Sequence, residues 1–273
     1  MEYLPFLLEF FSNNNDINIY INKNTDGYNF LDYFQTLYRF KVIYDNFSKE
    51  IIDNHDKIFK LSSNDMCCDH CEIISLLHLK QLKCKSGKYL SLTPYINGDN
   101  IYYTFPIYRP PINNSENNKI VTLIGYYKNS NFDKDTIDFI KINKNYTFNF
   151  IIWADNEYPN LKNIKNVNIY HALKTSSMIK IINNSKYILS KKYINHDRFS
   201  GQLSLAMSFE KPLIIDLKSK TVYDLPGIAF KENYCEVGNL DSIDNNKYNY
   251  LKEEIKIKKK EMLDNNNKIL NSL

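Results

Sequence analysis

The sequence predicts an α/β protein built on parallel sheets, and three observations lead there. Beyond residue 119, short unbroken apolar runs alternate with amphipathic helical stretches, the pattern of strands buried on both faces by helices. The step Pro110-Pro111, followed by Asn-rich polar sequence to Asn118, can continue neither a strand nor a helix, so it divides the chain unequally. A polar loop, a short helix and an apolar strand then succeed one another between Asp197 and Asp216. The expected organisation is an N-terminal α/β domain over 1–110, a Rossmann-like domain over 119–244 and a C-terminal helix over 245–273.

In the first part, 17–21, 41–44, 57–61 and 88–94 have the apolar, β-branched and aromatic content of strands, and 30–40 and 69–82 fit helices between them. The chain opens on a short apolar segment, Met1 to Phe11, and enters its sheet late. In the second part, strands are expected over 120–124, 147–153, 167–170, 187–190 and 212–216. Helices are expected over 133–141, over 175–183 and from Gly201 onward. The last stretch, 245–273, is a charged helix with Tyr248, Leu251, Ile255 and Met262 on one stripe, and its basic run 256–260 fits a solvated face.

The Gly201 helix carries the most information. Ser200 suits the N-cap, where its hydroxyl can accept a first-turn N–H, and Gly201 leaves that turn open to close approach. The first-turn N–H groups and the positive end of the helix dipole would then face an anion. Leu203, Ala206 and Met207 recur at i, i+3 and i+4, and Leu205 and Phe209 cover a second side, so the helix should be buried nearly all round. Pro212 is expected to end it.

This stretch resembles the signature near the C-terminus of GT-B glycosyltransferases, in which an acidic residue, a Phe/Ser-Gly loop and an Ala-Met helix precede a Lys-Pro-hydrophobic strand. The resemblance covers roughly residues 88–245 well and the rest loosely. It implies two Rossmann-like domains, with the N-terminal, acceptor-side one reduced, and a helix N-terminus that holds the diphosphate of a nucleotide-sugar donor. Retaining members usually carry two glutamates eight positions apart; the matching positions here are Asp197 and Leu205. The small Gly usual before the Lys-Pro step is Glu210.

Ligands of open α/β sheets lie beyond the carboxyl ends of the strands. After the first strand of the second part, Gly125 can bring backbone close to a phosphate and Lys128 can neutralise it; a turn beside a solvated lysine is the plainer alternative. Trp153 follows the next strand and His171 the one after, loops near which the resemblance puts the nucleotide base. A core aromatic and a hydrogen-bonded loop histidine are the alternatives there. Arg198 can grip a phosphate bidentately and Asp197 can hold a sugar hydroxyl, unless both are merely solvated loop charges. The resemblance thus implies donor binding by Gly125, Lys128, Trp153, His171, Arg198, Ser200, Gly201 and Gln202, with Asp197 catalytic, no metal and no cofactor. The partners would be a nucleotide-sugar donor and a hydroxyl acceptor. The alternative suggested by Leu205 is an inactive GT-B-like binding or assembly protein.

Composition narrows the remaining classes. The 43% hydrophobic and 24% charged content is that of a folded globular chain, and a net charge of +4, spread along the sequence, argues against a nucleic-acid surface. The N-terminus lacks a basic segment and a small-residue cleavage site. No apolar run approaches the roughly 18 residues of a membrane span, so a cytoplasmic protein without an integral membrane segment is expected. Cys68 and Cys71, with Cys67, His70, His78 and Cys84 nearby, have the spacing of half a zinc site; reduced cysteines at a helix start are the competing reading.

Overall fold

The computed structural model describes residues 4–11, 16–21, 30–44, 54–60, 73–77, 88–92, 94, 99–112, 119–125, 132, 134–152, 158–171, 173–190, 200–230 and 238–273. They fall into two compact units. The described residues of one lie within Met1–Tyr108 and Met262–Leu273, those of the other within Arg109–Ile194 and Ser200–Glu261. The cysteine and histidine cluster around Cys68 and Cys71 lies outside the described residues.

The first unit opens on the helix Leu4–Phe11, whose Leu4 to Leu8 are all buried. At eight residues it is too short for periodicity to identify it as a helix. Strands β1 (Asn18–Ile21) and β2 (Lys41–Tyr44) pair in parallel, in register from Asn18↔Lys41 to Ile21↔Tyr44. The helix between them spans Phe30–Gln35, shorter than expected. The Thr36 hydroxyl donates to the Tyr33 carbonyl at 2.6 Å, and a local bond of this kind competes with helix continuation. A second sheet has the order β3-β4-β5-β6, with β3 at Ile58–Lys60, β4 at Ile73–Leu77, β5 at Lys88–Ser91 and β6 at Ile101–Tyr103, all parallel.

Strand β4 corrects the helix expected over 69–82. Five apolar and small residues fit either element, and the ladders to β3 and β5, partners distant in sequence, decide for the strand. The end of the terminal helix Asn245–Ser272 belongs to this unit. Asn266 reads the Phe105 backbone in both directions, accepting from its N–H at 3.3 Å and donating to its carbonyl at 2.7 Å. Lys57 and Lys88 donate to the Leu270 and Leu273 carbonyls, placing positive charge at the negative end of the helix.

The second unit holds a six-stranded, wholly parallel sheet, so the chain is mixed α/β as expected. In chain order its elements are β7 (Ile120–Gly125), the helix Lys134–Ile142, β8 (Thr147–Ile152), the short helix Pro159–Lys162, β9 (Val167–His171), the helix Thr175–Asn184 and β10 (Tyr187–Leu189). Then come the helix Gly201–Ser208, β11 (Leu213–Asp216), the helix Leu217–Val222, β12 (Gly227–Phe230) and the start of the terminal helix. The spatial order β12-β11-β10-β7-β8-β9 is the doubly wound Rossmann order, with its switch point between β7 and β10.

Alternate residues of the strands feed two faces. Val121, Leu123, Phe148, Phe150 and Ile152 join Phe139, Tyr158, Leu161, Tyr248 and Leu251 in one core. The opposite face carries a polar row in register, Thr122↔Asn149↔Asn168. Thr122 shares a hydrogen bond of 2.6 Å with Ser185, and Asn168 donates to Asn149 at 3.0 Å. These bonds satisfy the buried side chains of Thr122, Ser185 and Asn149.

The Gly201–Ser208 helix is buried from Gln202 through Ser208, as its all-round apolar pattern predicts. It ends before Pro212 can act on it. Glu210 takes a left-handed φ of 55°, its N–H bonds to the Met207 carbonyl, and the Lys211 N–H bonds to the Ala206 carbonyl at 2.9 Å, the pair of bonds of a Schellman close. The position where the resembling family has glycine is thus one where the backbone itself favours glycine. The Leu217–Val222 helix ends the same way on Asp224, with φ of 48°.

The basic run 256–260 is not uniformly solvated. Lys259 is buried and donates to the Ser208 carbonyl at 2.7 Å and the Glu210 carboxylate at 2.9 Å, while Lys258 pairs with Asp224. Adjacent lysines therefore hold the closing residues of two helices that flank β11 in sequence.

Candidate functional site

The carboxyl edge of the six-stranded sheet brings the described candidates together. Gly125 ends β7, pairs in register with Ile152 of β8, and Ile152 pairs with His171 of β9. Gly125 and His171 therefore stand in one row, two strand spacings or about 10 Å apart. His171 is exposed, and its ring lies nearly parallel to that of buried Tyr158, with centroids 6.4 Å apart and an interplanar angle of 18°.

On the other side of Gly125, the Gly201–Ser208 helix starts at the switch point. Its second residue, Gln202, is buried, and the side-chain amide donates to the backbone carbonyl of Ile124. That bond joins residues 78 apart in sequence and ties the first helical turn to the end of β7. Ser200 occupies the N-cap with extended backbone, φ −104° and ψ 119°, but its hydroxyl makes no capping bond, contrary to expectation. The reason is local: the Leu203 N–H, one of the two donors a capping hydroxyl would take, bonds to Ser200's own carbonyl at 3.1 Å. No acidic side chain occupies the first turn, so the helix dipole there is not offset from within the helix.

Lys128, Trp153, Asp197 and Arg198 lie outside the described residues. Among the described residues, no three His, Cys, Asp or Glu side chains gather as a metal site, and no helix is long and apolar enough to cross a membrane. Leu205, in the position of the second family acid, is 5% exposed within the helix core.

The sequence reading missed the side-chain role of Gln202. Its signal was a long polar side chain on a helix whose pattern predicts burial nearly all round, which implies a bonded partner. The ring of Tyr158 beneath His171 was also missed, because nothing local links a residue before β9 to that strand's last side chain.

No protein-family model matches the chain, and no curated protein matches it in sequence. Solved structures do. AviGT4, a glycosyltransferase involved in avilamycin A biosynthesis, superposes with a TM-score of 0.59 at 9% identity, over 94% of this chain and 96% of its own. An alpha-glucosyltransferase in complex with UDP and a 13-mer DNA containing an HMU base gives a TM-score of 0.55 at 11% identity, over 91% and 94%. TarM, at 15% identity and a TM-score of 0.44, aligns over 70% of this chain and 46% of its own, so the chain spans about half that protein's length. The fold is that of the GT-B glycosyltransferases.

Proposed function

We propose that this protein transfers a sugar from a nucleotide-sugar donor to a hydroxyl acceptor. The observation that carries the reading is the Gln202 to Ile124 bond, which sets the open first turn of the Gly201 helix against the end of β7 at the switch point. Backbone N–H groups and a helix dipole at that place suit a diphosphate. The row from Gly125 to His171 is long enough to carry the rest of a nucleotide, with the base toward His171.

In the reaction, the acceptor hydroxyl oxygen bonds to the anomeric carbon as the bond from that carbon to the diphosphate oxygen breaks. The nucleoside diphosphate leaves with the electron pair, and the hydroxyl proton passes to the departing diphosphate or to water. The Ser200, Gly201 and Gln202 amides, assisted by Lys128 and Arg198, stabilise the charge that grows on the leaving oxygens, and Asp197 holds a sugar hydroxyl. This electrostatic assistance requires no divalent cation.

Buried Leu205 favours a second reading. A side chain that can neither accept a proton nor bind a hydroxyl stands where the resembling family has an acid, as in an inactive relative that serves as a binding or assembly protein.

Calorimetric titration with UDP, GDP, ADP and CDP tests the proposal. UDP heads the panel because a structural neighbour was solved with it. The wild type should bind one nucleoside diphosphate, and Gly201→Val, checked for folding by circular dichroism, should lose it. Equal binding by both proteins places the diphosphate elsewhere. Binding with no sugar-donor hydrolysis or transfer supports the second reading, and absence of binding across the panel rejects transfer and leaves the inactive binding or assembly protein.

A further inference from the structure

The strands at the switch point separate before they end. Pairing between β7 and β10 stops at Thr122↔Ile188, whereas pairing between β7 and β8 continues to Gly125↔Ile152. Ile124 lies two residues past the last β7–β10 pair and is 3% exposed, and a buried carbonyl needs a donor. The side-chain amide of Gln202 supplies one.

The two ends of the Gly201 helix are held by different devices. Lys259 and the left-handed Glu210 fix the last turn, and Gln202 fixes the first. The polar end of the Gln202 side chain is directed at protein backbone, so its contribution to a ligand would be indirect.

We infer that Gln202 is a positioning residue, its side chain setting the spacing between the end of β7 and the first turn of the Gly201 helix, so that both backbone segments reach one diphosphate. This rests on the donor-binding reading above. Losing the tether displaces the phosphate-facing backbone while leaving the Gly125–His171 row, held by strand pairing, in place. The loss should therefore fall on the diphosphate and spare the nucleoside.

The test compares Gln202→Leu and Gln202→Met with the wild type, using the nucleoside diphosphate of the panel that binds tightest and its parent nucleoside. Calorimetry reads the first ligand and ligand-observed NMR the second. In a folded variant, diphosphate affinity should drop about tenfold or more while nucleoside affinity stays within about twofold. Met, closer to Gln in length and flexibility, carries the test where Leu prevents folding. A fall in both affinities by the same factor, or no fall in either, overturns the positioning role and leaves the donor reading standing. A wild type that binds neither ligand overturns the donor reading and this inference with it.

Discussion

The Lys259 ammonium lies 2.9 Å from the carboxylate of Glu210, a residue whose backbone is left-handed at φ 55°. Two opposing effects meet at that residue. A side chain in this conformation costs about 1–2 kcal/mol, and the carboxylate offsets part of it by partnering an ammonium withdrawn from water.

Removing the carboxylate in two ways separates those effects. Glu210→Ala loses the ion pair and keeps the backbone cost, whereas Glu210→Gly loses the pair and relieves the cost. The glycine variant should be more stable than the alanine variant by about 1 kcal/mol in urea denaturation. An alanine variant equal to or better than glycine would show that φ at this position relaxes.

Gly227 should not accept a side chain. A Cβ built there would stand 2.8 Å from the carbonyl oxygen of Leu213, its register partner on β11. Gly227→Ala must push β11 and β12 apart and should cost about 1–3 kcal/mol in chemical denaturation. A variant as stable as wild type would mean that the edge strand shifts freely.

Asn143, 2% exposed, joins the end of its own helix to the segment before the terminal helix. Its amide donates to the Phe139 carbonyl at 2.8 Å and the Gly238 carbonyl at 3.2 Å, and its oxygen accepts from the Leu240 N–H at 2.7 Å. Asn143→Ala should cost about 2–4 kcal/mol, since a buried N–H loses its acceptor together with the other bonds. Asn143→Asp should cost more, because a carboxylate would face two carbonyl oxygens. Equal stability of the Asp and Ala variants in a denaturation series would refute this account.

Burial first, and then the Asp241 carboxylate, push the Tyr146 hydroxyl up to about 12. The folded state thus favours the protonated phenol. Its contribution is complete below about pH 10 and lost as the pH rises through about 12. Unfolding free energy measured across that window should fall more steeply for wild type than for Tyr146→Phe, and parallel profiles would contradict the assignment.

The second unit was legible because parallel strands buried on both faces are written as apolar runs, and those from Ile120 to Asp216 were found within a residue or two. Where a ladder decided the element, as at Ile73–Leu77, local pattern could not choose. Strand β12 and the helix Leu217–Val222 were not anticipated, being four and six residues long with little periodicity. At the candidate site, Gly125, Gly201 and Gln202 were each visible as residue types in suitable places. That Gln202 reaches Ile124 follows from the strand order, which no local pattern carries. The left-handed turn at Glu210 could be suspected only from the glycine that the resembling family has there.

The two lysine contacts also act as a ruler. Lys258 and Lys259 are consecutive, so they project about 100° apart around the helix, and each meets a different acid on a different turn. Inserting or deleting one residue between Asn245 and Lys258 would rotate that same 100° into the helix. The buried side chains Tyr248, Leu251 and Ile255 would then fall out of step with both acids. This segment can therefore diverge by substitution far more readily than by change of length, and a one-residue deletion there should be more harmful than most single substitutions on its exposed side.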